Sequence, residues 1–282
     1  MKFQKNMCVQ RRAEMGLKMN EVWDTDKRKR PIGVFDSGVG GISVLRELAA
    51  LMPNENYIYY GDSAHAPYGT KTLEEVQRLT LADAAFLEAH RVKALVVACN
   101  TATSAAVGLL REKYADMPVI GIEPALKPAM EVKVHPRVLV MATPMTLREE
   151  KFRQLMRRYE EKGEIITLPA PGLVELVEAG ELSGEKPEAY LRELFAAYKT
   201  GDLDCVVLGC THYPFVRRTV QQVLGKGVML FDGGAGTARE TKRRLREAGL
   251  LNPQQEKGAV TLLSSSEGED AAALAQMLFE KY

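Results

Sequence analysis

From Pro31 onward, short apolar runs rich in β-branched residues alternate with longer amphipathic stretches, and this rhythm is the tightest constraint on the fold. Strands are predicted at IGVF (32–35), NYIYYGD (56–62), ALVVACN (94–100), PVIGIEP (118–124), RVLVMAT (137–143), EIITLPA (164–170), DCVVLGC (204–210), VMLFDGG (228–234) and AVTLLSS (259–265). Helices are predicted between them at 42–51, 72–90, 101–114, 147–162, 173–179, 187–199 and 215–224, then to about residue 248, with one more at the C-terminus. Strands that are apolar throughout, separated by helices, belong to parallel sheets covered on both faces. The class is α/β, doubly wound, and ligands of such folds sit beyond the carboxyl ends of the strands.

The same plan occurs twice. ALVVACNTAT (94–103) and CVVLGCTHYP (205–214) each run from apolar strand to small residue, Cys and Thr, with the cysteines 111 positions apart. One copy per half predicts two similar doubly wound parallel-sheet domains facing each other across a cleft. The expected division is an extension over 1–30, a first domain of 31–122 with 238–282, and a second of 123–237. The length of 282 residues accommodates two domains.

Composition narrows the function classes. With 38 Lys+Arg against 37 Asp+Glu, there is no overall charge to draw the chain to nucleic acid or an anionic membrane. No apolar run reaches the ~18–20 residues of a membrane span, and the charged N-terminus lacks the apolar centre of a secretory signal. The first 30 residues read as a poorly ordered or helical extension whose Lys27-Arg28-Lys29-Arg30 run is a solvated charge cluster or an anion contact. The four cysteines, Cys8, Cys99, Cys205 and Cys210, form no C-x-x-C pair, and the four histidines have no zinc spacing. A reducing cytoplasm and no metal are expected.

Cys99 and Cys210 each end a predicted strand just before a helix. There the helix dipole is expected to lower a thiol pKa from roughly 8.5, and helix-start N–H groups capped by Asn100, Thr101 or Thr211 can receive a carboxylate. Cys205 lies inside its strand and reads as core. Either motif cysteine alone is compatible with a small buried hydrophobe. Two in matched positions can flank one carbon, with one thiolate removing a proton and one thiol returning a proton to the opposite face. Such chemistry needs no cofactor, but it needs charge stabilisation by aimed donors in a dry site.

DSGVGG (36–41), GDSAHAPYG (61–69), ACNTAT (98–103) and GCTHYP (209–214), in this order, resemble the aspartate/glutamate racemase family, bacterial glutamate racemases in particular. The resemblance covers the chain from Pro31 to the C-terminus. It implies a cofactor-independent isomerase interconverting L- and D-glutamate for peptidoglycan. Cys99 would take the proton of D-glutamate and Cys210 that of L-glutamate, assisted by Asp36, His212 and Glu178. It also implies substrate contacts from Asp36, Ser37, Tyr68, Gly69, Asn100, Thr101, Thr211 and His212. A homodimer, a cytoplasmic location and regulation by a peptidoglycan precursor are further implications. The chain departs from the family pattern at Ala170-Pro171, where Cys-Pro is common, and at Asp232-Gly233-Gly234-Ala235, where Asp-Ser-Gly-Ala is common. Other readings stay open: a racemase of another acidic amino acid, a cysteine hydrolase using Cys210 and His212, and a non-catalytic binding module.

Overall fold

A computed structural model describes residues 26–199, 201–266 and 269–281. Its strands are β1 (Ile32–Asp36), β2 (Tyr57–Gly61), β3 (Ala94–Val97), β4 (Val119–Gly121), β5 (Arg137–Ala142), β6 (Glu164–Pro169), β7 (Cys205–Leu208), β8 (Met229–Asp232) and β9 (Val260–Ser264). Its α-helices are α1 (Ile42–Leu51), α2 (Leu73–Ala89), α3 (Asn100–Lys113), α4 (Leu126–Met130), α5 (Pro144–Arg148), α6 (Glu150–Arg157), α7 (Gly172–Glu178), α8 (Glu185–Leu194), α9 (Arg217–Leu224), α10 (Gly234–Glu247) and α11 (Glu269–Lys281).

The strands form two sheets, β4-β3-β1-β2-β9 and β6-β5-β7-β8. Every pairing is parallel. The central strands β1, β3 and β7 are buried along their whole length, whereas the edge strands β6, β8 and β9 are partly exposed. Burial on both faces is why these central runs read as continuous apolar segments.

Strand order fixes where a ligand can sit. In the first sheet the chain moves from β1 to β2 on one side and returns to place β3 on the other, so the order reverses between β1 and β3. In the second sheet it reverses between β5 and β7. Loops leaving adjacent strands in opposite directions open a crevice at each reversal. Asp36 closes β1 and Cys99 follows β3 at the first reversal, and Thr143 and Cys210 follow β5 and β7 at the second.

Local signals account for two of the helix starts near the site. Thr72 accepts from the Glu75 amide at 3.2 Å and caps α2, an arrangement readable from the T-x-x-E spacing. Thr143 caps α5 by accepting from the Thr146 amide at 3.2 Å, with Pro144 in the first turn.

The structure corrects several expectations. The helix predicted over 147–162 is α5, α6 and a 3₁₀ turn at Glu160–Lys162, divided at the extended Glu149. The run LREEKF is mostly good helix formers and carries no Gly or Pro to mark the break. α4 is not among the predicted helices; it carries Pro128 in its first turn, where Pro forfeits only an amide that has no intrahelical acceptor. The basic run at 27–30 is a surface 3₁₀ turn in which Arg28 pairs with Asp26 at 2.8 Å. Buried Lys93 bonds the Arg28 carbonyl and Glu55, tying that turn to the first sheet. Cys8 and the rest of the predicted extension lie outside the described residues.

No helix among the described residues is long and apolar enough to cross a membrane.

Candidate active site between the two sheets

Cys99 lies two residues beyond β3 and is itself the N-cap of α3: its Sγ accepts from the Ala102 amide at 3.5 Å. Asn100 and Thr101, expected as caps, are the first helical residues. Cys99 Sγ also lies 3.7 Å from the Ser37 hydroxyl. Burial pushes the Cys99 thiol well above its usual range, and the neighbouring Asp36 carboxylate adds to this. The expected depression by the helix dipole is thus overturned at Cys99, because desolvation of a fully enclosed thiolate outweighs the Ala102 and Ser37 donors.

Cys210 follows β7, but the helix expected from Phe215 does not begin at its motif. A 3₁₀ turn, Tyr213–Val216, comes first, and α9 starts only at Arg217. Thr211 is therefore not a helix cap. Its hydroxyl instead points across the cleft to Asp36 Oδ1 at 3.4 Å. Cys210 Sγ lies 3.6 Å from His212 Nδ1, and His212 Nε2 lies 2.6 Å from Glu178 Oε1. Burial pulls His212 toward its neutral form, but Cys210 and Glu178 outweigh it and hold the imidazole well above its usual range.

The glycine-rich loop after β1 clamps this chain of groups. Glu178 Oε1 accepts from the Val39 amide at 2.8 Å, and Asp36 Oδ2 from the Gly41 amide at 2.9 Å. A Cβ on Gly40 would lie 2.3 Å from His212 Nδ1, and one on Gly38 would lie 1.8 Å from Glu178 Oε1. Only glycine lets backbone approach the two side chains so closely. Asp36 is completely buried, and burial pushes its carboxyl up against the pull of His212 and the Gly41 amide.

Contacts at the site therefore join elements of one sheet to those of the other: Thr211 to Asp36, Glu178 to Val39, the Ser43 hydroxyl to the Thr211 carbonyl at 2.9 Å, and Thr101 to Thr143 at 3.0 Å. The last belongs to a buried hydroxyl triangle in which Thr146 lies 3.3 Å from Thr101 and 2.9 Å from Thr143. Thr143 and Thr146 were missed in the sequence. The signal was present as a T-P-x-T helix start at the end of a central strand. Asn100 is also buried here, and its Oδ1 has no partner among the described residues.

Two predicted contacts are placed differently from the rest. The Tyr68 hydroxyl is engaged by Asp62 and Asp83, so the turn offers a ligand its backbone rather than its phenol. Gly69 brings that backbone against Thr143, where a Cβ would meet the threonine Cβ at 2.7 Å. Cys205, by contrast, is core: fully buried, with Sγ 3.4 Å from the Ala129 carbonyl. Cys205→Ala is expected to leave turnover unchanged and to cost about 1 kcal/mol of stability, read by thermal unfolding beside the activity assay. A loss of activity in the folded variant would mean that the working thiol had been misassigned. Among the described residues, no group of three or more His, Cys, Asp or Glu side chains could hold a metal ion.

Two buried thiols thus stand at the carboxyl ends of two parallel sheets, one beside Ser37 and Asp36 and the other beside His212 and Glu178, in an α/β protein of the racemase class. The chain belongs to the Asp/Glu/Hydantoin racemase family, whose profile it matches over residues 32–241. It is 53% identical over 255 residues to the glutamate racemase of Clostridium botulinum (strain Alaska E43 / Type E3), covering 90% of this chain and 99% of that protein. Its fold is similar to that of the Francisella tularensis glutamate racemase in complex with D-glutamate, with a TM-score of 0.78, 29% identity and coverage of 90% and 95% of the two chains. It is also similar to the Escherichia coli glutamate racemase in complex with L-glutamate and the activator UDP-MurNAc-ala, with a TM-score of 0.77, 33% identity and coverage of 88% and 95%.

Proposed function

We propose that this chain interconverts L- and D-glutamate, with Cys99 and Cys210 as acid/base groups on opposite faces of the α-carbon. The observation that carries the reading is the unequal pair of environments. Cys99 is enclosed beside Asp36 and holds its proton, whereas Cys210 adjoins an imidazole that Glu178 keeps ready to hold one. A two-base racemase needs one thiol and one thiolate at a time. With L-glutamate, Cys210 takes the α-proton and Cys99 delivers one to the other face; with D-glutamate the roles reverse.

Asp36 and the unpaired Asn100 Oδ1 suit an ammonium group. The first turn of α3, the hydroxyls of Thr101 and Thr211 and the backbone at Tyr68 and Gly69 suit carboxylates. Ser37 supports the Cys99 sulfur. Aimed donors in a site from which water is excluded are what the carbanion-like transition state requires.

The role extends to a cytoplasmic enzyme that supplies D-glutamate for peptidoglycan and works as a homodimer. Residues 31–122 with 238–282 form one domain and 123–237 the other. Regulation by a peptidoglycan precursor is proposed by likeness to the E. coli protein, whose structure contains such an activator.

The deciding experiment is proton NMR of L-glutamate in D₂O with chelator-treated protein, followed by chiral analysis. Loss of the α-proton signal with appearance of D-glutamate is expected. A second reading has one observation in its favour: Cys210, His212 and Glu178 are arranged as nucleophile, base and orienting carboxylate of a cysteine hydrolase. It leaves Cys99 without a role. Absence of exchange and inversion, with and without the precursor, would favour it.

A further inference from the structure

Behind the Tyr68–Gly69 turn lies a buried cluster to which the proposed mechanism gives no role. The Tyr68 hydroxyl lies 2.6 Å from Asp62 Oδ2 and 2.8 Å from Asp83 Oδ2. Asp62 follows β2, Asp83 sits on the inner face of α2, and both carboxyls are almost wholly buried. A phenol has one hydrogen and can donate to one carboxylate only. The second short contact needs another proton, donated by a carboxylic acid to the phenol oxygen. Asp62 is already served by the His65 ring, whose Nδ1 lies 2.8 Å away, so the extra proton falls to Asp83.

We infer that Asp83 carries this proton and acts, through Tyr68, as the positioning residue that holds the Tyr68–Gly69 turn against Cys99 and Thr143. The inference rests on the proposed racemase site. The turn is well placed for this role, since Tyr68 packs in the same apolar cluster as Cys99 and Phe35, and the Gly69 backbone abuts Thr143 of the opposite sheet. The groups that bear on Asp83 are Asp62 and Tyr68 from the turn and Asp36 from the end of β1, with His65 behind Asp62. Burial first, and the two carboxylates next, push the Asp83 carboxyl up to about 8. Above that pH the cluster loses the proton that joins Asp83 to Tyr68, and the turn loosens.

Three measurements test this. The infrared difference spectrum of wild type minus Asp83→Asn at pH 6 should show the carbonyl stretch of a buried protonated carboxyl, titrating away near pH 8. KM for glutamate in the wild type should rise about 10-fold as the pH passes that value, the effect of losing one buried hydrogen bond, with a smaller change in kcat. Asp83→Asn, whose amide can donate permanently to the phenol oxygen, should keep the low KM and abolish the alkaline rise, whereas Asp83→Ala should have the high KM at every pH. Should Asp83→Asn fold poorly, Tyr68→Phe provides the same test, since removing the acceptor must shift the carboxyl band. No protonated-carboxyl band, or Asp83→Asn with the KM of Asp83→Ala, overturns the inference. Absence of racemisation in the wild type overturns the proposed function instead, and the infrared measurement still reports on Asp83.

Discussion

Cys210→Ala is expected to abolish net interconversion of L- and D-glutamate, and Cys99→Ala to do the same. One positioned acid/base group contributes roughly 10²–10⁴-fold, and no other side chain stands ready to replace either sulfur: His212 reaches the cleft only behind Cys210, and Ser37 is too weak an acid and base to replace Cys99. The two variants should fail differently. Cys99→Ala keeps the thiol that removes the proton of L-glutamate, so it should still exchange that α-hydrogen with solvent without inversion. Cys210→Ala should exchange D-glutamate alone. Proton NMR in D₂O on each enantiomer reads both outcomes. Full racemisation by either variant, or identical exchange patterns in the two, would falsify the two-thiol assignment.

Gly40→Ala is the second large effect. The added methyl would lie 2.3 Å from His212 Nδ1 and 2.6 Å from its Cε1. His212 cannot retreat, because its ring is buried and its Nε2 is held by Glu178, which is itself held by the Val39 amide. Relief requires moving the loop or the ring, and either move breaks the alignment of Cys210 with His212. A misplacement of about 1 Å costs on the order of 10²-fold in rate, so kcat should fall by about that much, with circular dichroism confirming a folded chain. Activity within a few-fold of wild type would show that His212 need not stay aligned with Cys210. Gly108, where no atom lies within 4 Å of an added Cβ, serves as the control position for the same substitution.

The architecture was readable because its central strands are buried on both faces. IGVF, ALVV and CVVL leave no alternative to a covered parallel sheet, and a cysteine directly after such a strand is placed at the ligand end by topology alone. What followed each cysteine was less readable. Whether Thr211 caps a helix or reaches Asp36 depends on the opposite sheet, which nothing in CTHYP reports. The same holds for the Cys99 thiol: local position argued for a lowered pKa, and enclosure by distant segments raised it. Thr143 and Thr146 meet Thr101 only where the start of α5 after the second sheet packs against the start of α3 after the first. Asp83 was better signalled than it looked. It shares the helical spacing of Val76, Leu79, Thr80 and Leu87, the buried face of α2, and a carboxyl on such a face demands a partner.

The unlike surroundings of the two sulfurs have a thermodynamic corollary. L- and D-glutamate are mirror images with equal free energies in water, so no catalyst can favour one at equilibrium. The ratio kcat/KM must then be identical in the two directions. An imidazole and a carboxylate behind one sulfur, and a hydroxyl and a buried acid behind the other, can only redistribute that shared ratio. The direction with the faster turnover must be the one with the weaker apparent affinity, by the same factor.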